Sequence, residues 1–318
     1  MKTADQIYAR LESRTPINTN MTPGDAGDSF IISQSGSYYL TTNLVGVSGQ
    51  TGIKITANNV TLDLNGFTLQ GASGGHGIYL PVASTNITVR DGNISGWGGQ
   101  GVHVEALNSV NIVFEKLNVS ANQGVGIKLN GTGVIRNCNC SQNKFGGITC
   151  ENGFEGSSLL ITHCMVNNNL NSGIIAPCTV SGCQIENNHG AGVYLQGGAV
   201  TDCMIVSNFT SGIYVAQSSS RVIANTCIAN NAVNLTSQAG IYVSIPNNRI
   251  EDNHVLASGY AGIVSAPIGG NTIIRNTVSG NSTNNYIMFA GLGSVLGPIL
   301  NDSTGTLTNS SPWGNFSY

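Results

Sequence analysis

A nine-residue unit recurs eight times between Phe114 and Asn281 without losing register, and a chain written that way folds by stacking copies of itself. Its first and sixth places are apolar, its fourth is small or of a buried type, and its ninth is usually Asn. Ile161, Cys164, Val166 and Asn169 make one copy; Val180, Cys183, Ile185 and Asn188 make the next. Degenerate copies precede these, as Val89, Gly92, Ile94 and Trp97, and as Leu64, Phe67, Leu69 and Ala72. Interleaved with the units, a Gly followed by Ile or Val returns from Gly52 to Gly262, at intervals from 19 residues (Gly173 to Gly192) to 28 (Gly212 to Gly240).

Places four and six lie two apart with a polar residue between them, the period of a short strand with one buried face. Strands this short are unstable alone, but identical units stacked in parallel pair each turn of chain with the next. The pattern predicts an all-β, single-stranded parallel β-helix of about 11 coils, a rod of roughly 50 Å at about 4.8 Å per coil. Leucine-rich repeats share the period but need a Leu signature and helices that this chain lacks. The Asn column is expected to form a ladder of side-chain amides at one bend, with the Gly four residues later relieving the turn.

Both ends of such a rod need covers. Residues 1–28 supply a cap and linker: Thr3 to Gln6 has the form of a capping box, and Ala4, Ile7, Tyr8 and Leu11 share a helical face, predicting a short N-terminal helix. Residues 29–290 are the solenoid. Residues 291–318 lose the repeat and are expected to lie along the rod as an extended tail, anchored by Val295, Ile299, Leu307, Trp313 and Phe316. Apolar outward residues late in the rod, such as Val206, Ile228 and Leu256, add the expectation of a homo-oligomer, with a trimer as one form.

Charge is scarce, with 12 basic and 15 acidic residues making 8% of the chain against about 25% in an ordinary soluble domain. A net charge of −3 with no Lys or Arg run leaves no footprint for a phosphate backbone, so nucleic acid is not an expected partner. No apolar stretch reaches the roughly 18 residues of a membrane span, and the first residues lack the apolar block of a signal peptide. The eight cysteines fit no Cys-x-x-Cys site. Cys138, Cys164, Cys183 and Cys203 fill one inward column continued by Asn225, Asn253 and Asn276. Parallel Cα–Cβ vectors at coil spacing hold Cβ atoms beyond the usual 3.5–4.5 Å or so of a disulfide, so buried free thiols are expected.

The Gly-Ile-x-[Leu/Val] and Val-x-x-Cys-x-[Ile/Val]-x-x-Asn units resemble those of right-handed parallel β-helix proteins of the pectate-lyase-like superfamily. The opening segments 14–44 and 59–69 and the ending Ser310–Tyr318 are similar to a group of secreted bacterial β-helix proteins. The resemblance implies a right-handed coil, a secreted or cell-surface location and a polysaccharide partner. That superfamily holds pectate lyases, polygalacturonases, alginate epimerases, phage tailspikes and non-catalytic adhesins, so fold alone selects no activity. The Asp-Pro-His signature of alginate epimerases and the Asn-Thr-Asp and paired-Asp motifs of polygalacturonases are absent from this sequence. Gly74–Leu80 is similar to the polygalacturonase Gly-His-Gly, but is one copy of the structural repeat.

Candidate chemistry lies on outward positions. The residue two after each repeat Gly gives the column Tyr79, His103, Lys128 and Thr149, with Glu105 and Glu151 two further on. His103, Glu105, Lys128, Glu151 and Tyr79 are the candidate catalytic set. They suit β-elimination on an acidic polysaccharide: Lys128 neutralises a uronate carboxylate, His103 removes the α-proton, and Tyr79 protonates the leaving oxygen. Glu105 and Glu151, two coils apart, offer glycoside hydrolysis as an alternative. Another alternative is a non-catalytic glycan-binding or structural module, with Tyr194, Tyr214 and Tyr242 stacking on sugar rings. Arg90 joins these as a candidate substrate-binding residue, although with Glu115 and Arg136 it also reads as an ion-pair ladder. No cofactor is expected. Ca²⁺ has no motif, and the adjacent carboxylates Asp25 with Asp28, and Glu251 with Asp252, read as turn residues. Loops that wall a cleft are expected only at Cys150–Leu159 and Ala232–Gln238.

Overall fold

The computed structural model describes residues 13–151, 159–266, 269–288, 293–301 and 311–318. Each coil lays down short parallel strands on three faces. The first face holds the Gly-Ile steps in twelve strands, from Asp28–Ile32 to Asn284–Met288, paired in register as in Val102 beside Ile127 and Ile127 beside Ile148. Each nine-residue unit supplies the other two faces, as Leu159–Thr162 on the second and Met165–Asn167 on the third. The solenoid thus has about 12 turns rather than 11, because Asp28–Ile32 and Gly36–Tyr39 form a first coil without the unit's signature. No helix occurs among the described residues, and the expected N-terminal helix lies outside them.

The unit's spacing has a backbone cause. Places three and eight adopt the left-handed conformation, at His163 (φ 52°) and Asn168 (φ 54°) in one coil and at Asp202 (φ 55°) and Ser207 (φ 53°) in another. Such a residue turns the chain in one step, at roughly 1–2 kcal/mol for a side chain other than Gly. The residue after it points inward, so its amide is stripped of water and needs a partner.

Two buried ladders supply those partners. At place nine, Asn122, Asn143, Asn169, Asn188, Asn208 and Asn230 follow one another. Each Oδ1 accepts both the backbone N–H and the Nδ2 of the preceding member, as Asn208 Oδ1 does from Asn188 at 3.1 and 3.0 Å. Asn188 Nδ2 also donates to Val166 O at 3.0 Å. At place four, Cys203 N–H donates to Asn225 Oδ1 (3.0 Å), and the line runs through Asn253 and Asn276 to Asn315. The cysteine column extends this second ladder downward: Cys183 N–H lies 3.4 Å from Cys203 Sγ, and Cys164 N–H 3.5 Å from Cys183 Sγ. All eight cysteines are buried thiols, and none is joined in a disulfide. Thiol and amide are therefore interchangeable acceptors in one column.

Three details differ from the expectation. The earliest unit begins at Leu62, which pairs with Val89, not at Leu64; the bend at Asn65 and Gly66 holds two additional residues. The Gly before each Ile or Val has an ordinary backbone and is required for room. A Cβ on Gly192 would sit 2.7 Å from Gly212 O and 2.8 Å from Asn208 Nδ2, so the first face closes directly on the ladder. At the C-terminus, Val295, Ile299 and Trp313 stay exposed and Leu307 lies outside the described residues. The anchor there is Asn315, fully buried as the last rung, with Phe316 paired beside Thr277.

Inside, one apolar cluster runs from Ile17 to Val278. On the third face Met165 and Met204 remain 44% and 46% exposed, giving the later coils an apolar flank.

Two measurements test the ladders. Asn188→Leu strands several buried donors and acceptors, at about 1–3 kcal/mol each, and is expected to lower the unfolding free energy by at least ~3 kcal/mol in chemical denaturation. Asn118→Ala, which removes an exposed 2.9 Å bond to Asn93, is expected to change it by no more than about 0.5 kcal/mol. Thiol titration is expected to recover eight thiols from the denatured, unreduced chain and to label the native protein slowly.

Candidate functional site

The outward column of the first face runs Lys54, Tyr79, His103, Lys128 and Thr149 on consecutive coils. His103 is thus flanked directly by Tyr79 and Lys128. Its ring stacks on Tyr79 with centroids 5.4 Å apart at 30°. A third ring completes the cluster: His76 lies 4.9 Å from His103, edge to face, and 5.0 Å from Tyr79. Other coils place a small, uncharged or buried residue before the Gly-Ile step; here a histidine occupies it. Gly99 makes the space, since a Cβ there would fall 2.5 Å from His76 Nδ1. That nitrogen accepts the Gln100 N–H at 3.1 Å, which leaves the ring proton on Nε2.

Glu105 closes the cluster from above. It accepts the Tyr79 hydroxyl, and Asn130 Nδ2 donates to its backbone carbonyl at 2.7 Å. Burial, then the Glu105 hydrogen bond and charge, push the Tyr79 phenol up to about 12. Burial lowers the His76 pKa, opposed by the Glu105 carboxylate. Tyr79 therefore keeps its proton at neutral pH and His76 favours the neutral form.

The remaining candidates lie elsewhere. Glu151 ends the strand Ile148–Glu151 opposite Asn130, and its side chain is outside the described residues. Arg90 sits on the second face, where Asp63 takes both Arg90 (2.9 Å) and Arg14 (3.1 Å) and Glu115 takes Arg136 Nε (3.0 Å). It belongs to a surface ion-pair ladder there. Tyr194, Tyr214 and Tyr242 follow on the first face beyond Thr149 and Ile175, with centroids 5.1 and 5.2 Å apart and planes within 6° and 16°. Stacked so closely, they cover one another's faces and present edges and hydroxyls. Tyr214, between the other two, has both ring faces engaged by its neighbours. The sequence missed His76 as a site residue, although Gly74–Leu80 carries its signal.

The adjacent carboxylates are committed. Asp25 Oδ1 accepts the Gly27 and Asp28 amides at 2.8 and 2.9 Å, and Asp28 pairs with Lys54 at 2.7 Å. Glu251 pairs with Arg249 and Arg275, and Asp252 with Arg275 at 2.8 Å. Among the described residues, no group of three or more His, Cys, Asp or Glu side chains is placed to hold a metal ion.

The two titrations give a prediction. An unfolded chain holds a histidine near pH 6.5, so as pH falls the unfolded state binds the His76 proton first, and His76 withdraws stability below about pH 6.5. Proton NMR of the imidazoles is expected to place His76 below that value, and Glu105→Gln is expected to lower it further by removing the opposing charge.

No curated protein matches the sequence. Solved structures share the architecture. A tailspike protein, Dettilon gp208, superposes with a TM-score of 0.63 at 17% identity, over 82% of this chain and 60% of its own. A double mutant of the periplasmic alginate epimerase AlgG gives 0.64 at 13% identity, over 88% and 79%. The A-module of the mannuronan C-5 epimerase AlgE6 from Azotobacter vinelandii gives 0.50 at 12%, over 85% and 89%. The chain spans less than two thirds of the tailspike, and identities this low establish the fold alone. The family described as a right handed beta helix region matches residues 19–177 and 177–310, and the chain belongs to it.

Proposed function

We propose that the chain acts outside the cytoplasm, secreted or at the cell surface, on an acidic polysaccharide, and that the His76, Tyr79, His103, Glu105 and Lys128 cluster performs β-elimination. The carrying observation is the placement of His103 directly between Lys128 and Tyr79 in one outward column. The Lys128 ammonium lies against the uronate carboxylate and lowers the pKa of the adjacent C–H. His103 takes that proton. The electrons of the broken C–H bond form a carbon–carbon double bond as the glycosidic C–O bond breaks, and Tyr79 protonates the departing oxygen. A phenol held near 12 retains its proton until a base as strong as an alkoxide appears beside it. Glu105 then orients the hydroxyl, and His76 buttresses the His103 ring. The structural neighbours that are alginate and mannuronan epimerases are consistent with an acidic glycan.

A second reading is non-catalytic glycan binding, in which the aligned Tyr79, His103 and Lys128 side chains serve as contacts to the polymer. Hydrolysis is less well supported, because Glu105 is engaged by Tyr79.

Incubation with polygalacturonate, alginate and other polyuronates is expected to generate unsaturated ends absorbing in the ultraviolet. His103→Ala is expected to lower kcat by about 10²–10⁴-fold, the range for a general base, and Lys128→Met to raise KM as well. His254→Ala, on the third face, serves as the unaffected control. Retention on a polyuronate column with no new absorbance would favour binding without catalysis, and a fully active His103→Ala would remove the mechanism.

A further inference from the structure

Beyond the His103 cluster the same face carries a second, uncharged feature. A shallow hollow of about 390 Å³ lies beside Tyr194 and Tyr214, within the size range of small-molecule sites (roughly 300–1,000 Å³). No charged side chain lines it. What lines it is a set of oriented polar groups. Asn171 Oδ1 is occupied by the Ser172 N–H at 2.8 Å, and Gln238 Oε1 by the Ser211 hydroxyl at 2.6 Å and its N–H at 3.3 Å. The amide donors of both side chains, and the hydroxyls of Thr210, Tyr194 and Tyr214, have no partner among the described residues. Next in sequence to the lining residues Gly190 and Thr210, His189 stacks on Phe209 at 5.9 Å, and Phe209 is 44% exposed.

The chain spends its longest repeat interval here. The 28 residues from Gly212 to Gly240 include Ala232–Gln238, and buried Asn231 ties that loop down: its Oδ1 accepts Leu235 N–H at 2.9 Å, and its Nδ2 donates to Leu235 O at 2.9 Å and Gln238 O at 3.2 Å. A loop fixed at its middle and its far end by a buried amide delivers one side chain, Gln238, to the edge of the hollow. Function gathers on loops held by a rigid scaffold.

We infer that this hollow binds an uncharged sugar unit. Two side-chain amides and three hydroxyls match the vicinal hydroxyls of a hexose or pentose, which both accept and donate. A carboxylated sugar finds no cation there, whereas His103 lies beside Lys128. The hollow at Tyr194 is four coils from His103, or roughly 19 Å at about 4.8 Å per coil, so one polymer with acidic and neutral units can lie across both.

Calorimetric titration of the full chain with neutral hexasaccharides of glucose, mannose, galactose and xylose tests this. At least one is expected to bind saturably. Gln238→Ala and Thr210→Val are each expected to weaken it by about three- to tenfold, the effect of removing one hydrogen-bonding group. Met204→Ser, on the third face, is expected to bind normally. Thr210→Val preserves shape, so it reports on the site even where Tyr214→Ala disturbs the ring stack. Absence of binding to all four sugars overturns the inference, and so does binding that neither Gln238→Ala nor Thr210→Val weakens. Neutral-sugar binding and polyuronate elimination are separate readouts, so either site can fail while the other stands.

Discussion

The two bends of the repeat unit depend on buried amide donors finding acceptors one coil away. A left-handed residue turns the chain sharply, but it pushes the next N–H into an apolar interior, where an unmet donor costs about 1–3 kcal/mol. The ladders answer such donors with an Asn Oδ1 or a Cys Sγ of the coil above, and along the Asn runs Nδ2 bonds that same oxygen, as Asn169 does to Asn188. This holds only if successive coils stack in register at the spacing of paired strands. The register of all three faces therefore follows from the bends, and coil length is free to vary between them, from the compact interval ending at Gly192 to the long one ending at Gly240. The Gly-Ile steps are the steric counterpart: the first face passes so close to the ladder that only a residue without Cβ fits.

The fold was legible because this constraint repeats. Asn, an inward apolar residue three places earlier and Gly four places later mark most coils whatever the residues between. The first coil was not counted because its bends lack the ladder, and the Leu62 register was missed because the bend at Asn65 carries two added residues that disguise the spacing. The C-terminal anchor was missed for a related reason. Hydrophobicity pointed to Trp313 and Val295, whereas the ladder selected Asn315, whose value as a rung is invisible without the stack.

The site was legible only in part. Strand alternation put Tyr79, His103 and Lys128 in one outward line, and the structure keeps that line. His76 escaped because it stands at a bend, where side-chain direction is set by the neighbouring coil rather than by alternation; Gly99, on that next coil, admits it. The tyrosine column was read correctly as a line but not as a stack, since ring planes depend on packing that sequence spacing does not encode. Arg90 and His103 looked alike as titratable outward residues. The faces they occupy separate them: around Arg90 charges alternate in sign from coil to coil and neutralise each other, while around His103 aromatic and basic groups adjoin without such alternation.

A rod of this kind turns sequence distance into linear position, one step of about 4.8 Å for each coil, whatever the number of residues in the coil. A linear polymer laid along it meets side chains whose spacing is fixed by backbone hydrogen bonds and whose orientations are fixed by stacking on like neighbours. Tyr79, His103 and Lys128 stand at consecutive steps of that ruler, so their relative positions are set by strand pairing on folding, and the proposed reaction requires no further ordering of the three groups. The same scaffold explains why a shallow surface can be selective without a deep cleft. On the proposed reading, discrimination comes from which coils carry cations and which carry uncharged donors, with the boundary between Lys128 and Tyr194.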